Sequence, residues 1–208
     1  SDDNVTFLLF WDIDGTLLTT GRAGIFAWEN AASETAGYPV DLQKLDTAGL
    51  TDFAVGRTIL DHLDLPADRG VLTRMVRSYE AHLPDVLPLR QGRILSGIAA
   101  LLEHVRDERP DVASYLLTGN TKAGAQAKLT YYGIVDYFSG GAFARETDTR
   151  VDIARRALEA VTEGQPISLD HSFVIGDTPH DVACGRAIGA KTIAVATGDY
   201  TGNELRQH

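Results

Sequence analysis

Four short apolar runs, separated by segments with helical periodicity, constrain the fold of this chain more than any other feature. The runs are Phe7–Ile13, Ala113–Thr118, Ser172–Gly176 and Thr192–Ala196. Continuous apolar runs of this length are typical of parallel strands that are covered on both faces. Because helical segments alternate with them, we expect an α/β fold with a doubly wound parallel sheet.

The helical periodicity comes from apolar residues spaced three or four positions apart. Three stripes lie between the later strands: Ile98, Leu101, Leu102 and Val105; Ala123, Ala127, Tyr131 and Ile134; Ile153, Ala157, Leu158 and Val161. We expect each stripe to face the sheet.

The interval between the first two predicted strands is too long for a single crossover. A strand–helix–strand unit needs about 30 residues, whereas residues 17–112 lie between Thr16 and the second strand and contain helical signals without a comparable apolar run. We therefore expect an inserted, mostly α-helical cap subdomain at residues 18–87. The α/β core domain would comprise residues 1–17 and 88–208, with hinges at Thr19–Gly24 and Pro84–Gly92.

The charge balance bears on the choice of partner. The formal net charge is −10 and the sequence pI is about 4.9, which argues against nucleic acid or an anionic membrane surface as the main partner. An anionic substrate would need a local attractive feature, and a bound divalent cation would supply one.

Two further features concern location and redox chemistry. No apolar run approaches the roughly 20 residues that span a bilayer, and the acidic start Ser1–Asn4 is unlike a signal peptide, so we expect a cytoplasmic protein. The single cysteine, Cys184, excludes an internal disulfide. It is expected to be a small buried side chain.

Polar residues lie at or just beyond the ends of three of the predicted strands. Asp12 and Asp14 lie at the end of the first, Thr118-Gly119-Asn120 at the end of the second, and Asp177 directly after the third. Ligands of open parallel sheets bind beyond the carboxyl ends of the strands, so these residues should converge. Several carboxylates together favour Mg²⁺, which pairs with phosphate substrates. Backbone N–H groups of Gly119 and of the helix start near Thr121 would be available to an anion.

These residues resemble the signature motifs of the haloacid dehalogenase superfamily. The matching segments are Asp12–Leu17, Thr118–Asn120 and Gly176–Asp181, in the family's order and spacing. Gly49–Asp52 resembles the cap loop of phosphoglycolate-phosphatase-like members, and Arg93–Ile98 resembles their return into the core. The resemblance covers nearly the whole chain and implies a Rossmann-like core with a helical cap.

The resemblance also implies roles for individual residues. Asp12 would be the nucleophile that forms an aspartyl-phosphate, and Asp14 would donate and then accept the proton. Mg²⁺ would bind the Asp12 side chain, the Asp14 backbone carbonyl and the Asp177 side chain. Thr118, Gly119 and Asn120 would hold the transferring phosphoryl group.

The family's basic residue, often a Lys-Pro pair, has no direct counterpart here. Arg150 is the preferred candidate, because it opens the helix whose stripe begins at Ile153, and arginine can bind a phosphoryl oxygen and a carboxylate together. Arg145 ranks second, ahead of Lys122 and Lys128.

Each candidate also has a structural interpretation. Asp12, Asp14 and Asp177 could separately be helix caps or turn residues, and Thr118 could cap the following helix. Asp181 could be a carboxylate in the first turn of a helix, which the helix dipole favours. A place in the outer coordination sphere of the metal is equally compatible with the sequence.

Residues of the predicted cap allow the same two interpretations. Arg22, Thr51 and Asp52 could contact substrate or serve as caps. His180 is expected to be a solvated loop residue without a chemical role.

The leading functional hypothesis is a Mg²⁺-dependent hydrolase of a small phosphomonoester. A phosphomutase is the alternative within the same superfamily, and a dehalogenase ranks below it because halide departure does not need Asp14. A non-catalytic binding or regulatory module on this fold is the third hypothesis. Phosphoglycolate, a sugar phosphate, a nucleotide and pyrophosphate remain open as substrates.

Overall fold

A computed structural model describes residues 5–162, 168–198 and 200–208 of the chain. The strands are β1 (Phe7–Trp11), β2 (Leu18–Thr19), β3 (Arg93–Ile94), β4 (Val112–Leu117), β5 (Gly141–Ala142), β6 (Ser172–Gly176) and β7 (Lys191–Ala194). Five of them form a parallel sheet in the order β5-β4-β1-β6-β7. β2 and β3 form a separate antiparallel ribbon.

The helices are α1 (Ala23–Ala36), α2 (Asp52–His62), α3 (Arg69–Val86), α4 (Ile98–Glu108), α5 (Lys122–Tyr131), α6 (Arg150–Thr162), α7 (Pro179–Ile188) and α8 (Gly202–Leu205). Helices α1 to α7 lie in the connections between strands, and α8 follows the last strand. The predicted α/β fold class with a doubly wound parallel sheet is confirmed. Within the described residues, no helix is long and apolar enough to cross a membrane.

Alternating side chains of β1 build a core on each face of the sheet. Leu8 and Phe10 pack on the face covered by α6 and α7. Trp11 packs on the face covered by α4 and α5. Each fully buried side chain of this size contributes roughly 1.5–3 kcal/mol of transfer free energy. Cys184 is buried in the first of these clusters, as predicted.

Helices α1, α2 and α3 lie in the long interval between β2 and β3. Their apolar side chains are largely buried, and Trp28 of α1 stacks on Tyr79 of α3 with ring centroids 4.0 Å apart. These side chains join the same apolar cluster as Leu8 and Phe10 of the sheet. The division into a core of residues 1–17 and 88–208 and a cap of residues 18–87 stays a prediction.

The predicted stripe on α5 is wrong. Ala123 and Tyr131 are exposed, whereas the buried row of this helix contains Gly124, Lys128 and Leu129. A lysine can occupy a buried row only when its ammonium group is paired, because an unpaired buried charge is costly. The apolar pattern therefore misidentified the inward face.

Three smaller differences concern two unexpected strand pairings and one helix end. β5 has only two residues, Gly141 and Ala142, and lacks the apolar run that signals a strand. The β2–β3 ribbon was likewise not expected. The expected hinge does not begin at Pro84, because α3 continues through this residue to Val86.

Candidate active site

The ends of the three central strands meet at one edge of the sheet. Trp11 of β1 is in register with Leu116 of β4 and Ile175 of β6, so the polar residues that follow these strands lie side by side. They open into a cavity of about 750 Å³. The predicted residues that line it are Asp12, Asp14, Gly119, Thr118, Asn120, Arg150 and Asp177.

Asp12 lies at the floor of this cavity beside the predicted basic residue. Its Oδ1 accepts a hydrogen bond from the Ile13 backbone N–H at 2.8 Å, and Arg150 Nη2 lies 3.5 Å from its Oδ2. Burial, followed by repulsion from Asp181, raises the pKa of Asp12 well above its ordinary value, and the Arg150 charge opposes this. A carboxylate in this setting is stabilised by additional positive charge.

Arg150, the preferred candidate for the basic residue, lies beside Asp12. Arg150 begins α6, is buried, and forms ion pairs with both Asp12 and Asp181. Arg145 and Lys122 are exposed on the surface.

Asp181 serves two partners at once. One of its oxygens accepts hydrogen bonds from Thr178 N (3.1 Å) and Thr178 Oγ1 (3.0 Å) in the capping box of α7. The other binds Arg150. The structural and the site interpretations of this residue are therefore compatible, because it caps α7 and orients Arg150.

The backbone closes tightly around Asp177. Thr16 Oγ1 donates a hydrogen bond to Asp177 Oδ1 at 3.1 Å. A Cβ atom at Gly15 or Gly198 would lie 2.2 Å or 2.0 Å from Asp177 Oδ2, respectively. Burial, and then repulsion from Asp181, raises the pKa of Asp177 to about 7.

Three buried carboxylates could bind a cation together. Oxygen atoms of Asp12, Asp177 and Asp181 all lie within 4.8 Å of one another. One guanidinium balances only part of this charge, and hard carboxylate oxygens are the ligands that Mg²⁺ prefers. The donor set therefore fits a divalent metal ion, and Asp181 is one of the three clustered carboxylates.

The Asp14 carboxylate is turned away from this group toward α5. Lys128 Nζ lies 3.0 Å from both Asp14 oxygens, and Asn120 Nδ2 donates to Asp14 Oδ2 at 2.9 Å. Partial burial would raise the pKa of Asp14, but the Lys128 charge and these hydrogen bonds hold it below its ordinary value. Lys128 ranks with Lys122 below Arg150 and Arg145 as the basic residue, yet it contacts the second motif carboxylate directly.

The loop after β4 is largely bonded to itself. Thr118 is fully buried, and its Oγ1 accepts hydrogen bonds from Asn120 N (3.1 Å) and Asn120 Nδ2 (2.8 Å). It does not cap α5, since the N-cap is Thr121, whose Oγ1 accepts from Gly124 N. The expectation that a backbone N–H near Thr121 is available to an anion is wrong there, because Asp52 Oδ2 accepts from Thr121 N at 2.8 Å.

Residues of the loop before α2 connect the inserted helices to the site. Thr51 is the N-cap of α2, with its Oγ1 accepting from Ala54 N at 3.1 Å, so its cap interpretation is confirmed. Arg22 donates a hydrogen bond to the Gln43 carbonyl at 2.7 Å. His180 packs against Gly49, where a Cβ atom would lie 2.2 Å from its ring. Residues 43–50 of this loop line the cavity.

Comparisons with known proteins agree with this arrangement. The family model of haloacid dehalogenase-like hydrolases matches residues 9–186. A curated relative from Dickeya dadantii, named "Probable phosphatase IndB", is 25% identical over 205 residues, covering 96% of this chain and 85% of the relative.

Solved structures show the same fold at low sequence identity. A predicted phosphatase from Clostridium acetobutylicum superposes with a TM-score of 0.73 at 19% identity, covering 98% of this chain and 91% of the other. A protein provisionally named phosphoglycolate phosphatase, from Lactobacillus delbrueckii subsp. bulgaricus, gives a TM-score of 0.70 at 17% identity, with coverages of 99% and 92%.

Proposed function

Because the chain belongs to the haloacid dehalogenase-like hydrolases, we propose that it is a Mg²⁺-dependent phosphatase of a small phosphorylated metabolite. The observation that carries this proposal is the convergence of Asp12, Asp14, Asp177 and Arg150 on one cavity at the carboxyl edge of the sheet. The family predicted from the motifs is confirmed. Its phosphatase-named relative supports the choice of reaction.

The proposed chemistry uses the two motif carboxylates in sequence. An Asp12 oxygen attacks the phosphorus atom, the bond to the ester oxygen breaks, and the protonated form of Asp14 donates its proton to the departing oxygen. A water oxygen then attacks the phosphorus of the aspartyl-phosphate while the water gives a proton to Asp14. The bond from phosphorus to the Asp12 oxygen breaks, so that phosphate is released and the Asp12 carboxylate and the protonated Asp14 are restored. Both side chains line the cavity in which the substrate would bind, which supports this assignment.

Mg²⁺ would be held by the Asp12 and Asp177 side chains and the Asp14 backbone carbonyl, with Asp181 adjacent. When bound, it supplies positive charge against the anionic substrate and the crowded carboxylates. Support comes from the clustered oxygens of Asp12, Asp177 and Asp181 and from the close backbone packing at Gly15.

Thr118, Gly119, Asn120 and Arg150 would position the phosphoryl oxygens. Arg150 already lies against Asp12, so its guanidinium could bind an oxygen of the group that Asp12 attacks.

The inserted helices argue for a small substrate. A cavity of about 750 Å³ is of the size that encloses metabolite-like ligands. The loop that lines part of it would exclude water and bulky esters. A cytoplasmic location is part of the proposal and stays a prediction.

The test is phosphate release from a panel of phosphomonoesters, with and without Mg²⁺. Asp12→Asn should abolish turnover, whereas Asp61→Asn, which changes an exposed carboxylate on α2, should leave the rate unchanged. Chelation by EDTA should stop the reaction, and added Mg²⁺ should restore it. Equal rates for Asp12→Asn and the wild-type chain would overturn the proposal.

The same panel separates the alternatives. An isomerised sugar phosphate in place of free phosphate would identify a phosphomutase. Absence of both turnover and Mg²⁺ binding would indicate a non-catalytic module.

A further inference from the structure

Lys128 is buried on α5 and faces Asp14, the residue proposed to donate and then accept the proton. Its side chain is only 6% exposed, whereas the Asp14 side chain is 49% exposed and lines the cavity. Lys128 Nζ lies 3.0 Å from each Asp14 oxygen. A buried cation is thus directed at a carboxylate that is accessible to substrate.

Asn120 completes this arrangement. Its Oδ1 accepts a hydrogen bond from Lys128 Nζ at 2.7 Å, and its Nδ2 donates to Asp14 Oδ2 and to Thr118 Oγ1. The amide therefore holds the ammonium on one side and the carboxylate on the other. Together the two nitrogens fix the rotation of the Asp14 carboxylate.

The inserted helices contribute the rest of the ammonium's surroundings. Asp52 of α2 and Tyr79 of α3 lie close enough to interact with the Lys128 charge. An apolar side chain would fill this position in the buried row of α5 without the cost of burying a charge. A function for the contact with Asp14 would account for the presence of a lysine at this buried position.

We propose that Lys128 is a positioning residue for phosphoryl transfer, which holds the Asp14 carboxylate where it meets the leaving oxygen and then the attacking water. This inference rests on the proposed function, in which Asp14 moves the proton. Lys128 acts through Asp14 and does not itself react. Such positioning contributes because small misplacements of a reacting group lower the rate steeply.

The test uses Lys128→Met and two kinds of substrate. p-Nitrophenolate leaves without a proton, whereas an alkoxide needs one, so the first chemical step depends on Asp14 only for the alkyl ester. With p-nitrophenyl phosphate, the rate of the initial nitrophenolate burst should stay within threefold of the wild-type rate. With the alkyl phosphomonoester that the panel turns over best, kcat should fall at least thirtyfold, with KM within threefold.

A double-mutant cycle tests whether Lys128 acts through Asp14. Adding Lys128→Met to Asp14→Asn should lower turnover by less than twofold. Lys128→Arg retains the charge, so its kcat on the alkyl phosphomonoester should fall less than that of Lys128→Met. If Lys128→Met does not fold, the substrate comparison is made with Lys128→Arg. Lys191→Met, at an exposed position on β7, should match the wild-type chain.

The outcomes are distinct. Wild-type rates for Lys128→Met, equal losses on both substrates, or a full further loss in the Asp14→Asn background would each overturn the inference while leaving the proposed function in place. Failure of the wild-type chain to release phosphate from any ester would overturn the proposed function, and this inference with it.

Discussion

The Asp52 carboxylate accepts a hydrogen bond from the backbone N–H of Thr121, with 2.8 Å between Asp52 Oδ2 and Thr121 N. Asp52 N in turn donates to the Gly119 carbonyl at 2.8 Å. The first turn of α2 is thus fixed to the loop after β4 by two hydrogen bonds, beside the cavity. The inserted helices and the site share this contact, so a change at Asp52 should be measurable in both.

Asp52 should make stability depend on pH. Burial raises its pKa to about 6, against the Lys128 charge and the Thr121 N–H that lower it. Between about pH 4 and pH 6 the folded chain therefore binds a proton that the unfolded chain has released, and stability falls as pH rises through this window. Above pH 6 this contribution is constant.

Asp52→Asn should remove that dependence. Asparagine can still accept from Thr121 N but does not titrate, so the wild-type chain should lose up to roughly 3 kcal/mol relative to the variant between pH 4 and pH 7. Urea unfolding of both proteins in EDTA at several pH values measures the difference, with Asp61→Asn as the exposed control. Parallel curves for Asp52→Asn and wild type would contradict the prediction.

Arg150→Met should destabilise the fold strongly. It leaves Asp12 and Asp181 buried without their cation, and breaking a buried ion pair in this way costs about 3–5 kcal/mol. The double variant Arg150→Met/Asp181→Asn should recover part of this loss, because one uncompensated charge is removed while an α7 cap is kept. Urea midpoints report both changes.

Arg155→Met supplies the comparison for that experiment, since Arg155 is exposed on the same helix. Its unfolding free energy should stay within about 0.5 kcal/mol of wild type. An equally small change in unfolding free energy for Arg150→Met would contradict the prediction and would mean that Asp12 and Asp181 are not both ionised.

Gly198→Ala should weaken the proposed Mg²⁺ site. The added Cβ would lie 2.0 Å from Asp177 Oδ2, so the carboxylate must move. Changing a residue that orients a metal ligand typically costs about 10–100-fold in metal affinity or activity. Phosphatase rates measured over a Mg²⁺ titration should show a higher half-saturating concentration.

Gly202→Ala is the matched control, because a Cβ there meets no atom within 4 Å. It should leave the Mg²⁺ dependence unchanged. An unchanged titration for Gly198→Ala as well would argue that Asp177 is not a ligand.

The sequence was sufficient for the central strands and for the residues that follow them. β6 has the predicted bounds, and β1 and β4 differ by two residues or fewer at each end. Buried parallel strands produce continuous apolar runs, and the runs locate their polar ends. The strand order needs long-range pairing, and β5 was missed because its Gly-Ala pair carries no pattern.

Lys128 shows where local patterns fail. Its place in the buried row of α5 depends on Asp14, 114 positions earlier in the chain. Periodicity rules count a lysine as polar and so placed it outside. The hydrogen bond between Asp52 and Thr121 joins residues 69 positions apart, so a local pattern cannot predict it either. Both are contacts between elements that only the folded chain brings together.

The central position of β1 has a consequence for how the molecule opens. β1 is hydrogen-bonded to β4 on one side and β6 on the other, whereas β5 and β7 form the edges. Interior strands exchange their amide protons mainly through global unfolding, and edges open first. Asp12 therefore extends from one of the most protected segments, so partial fraying at either edge of the sheet leaves its backbone in place.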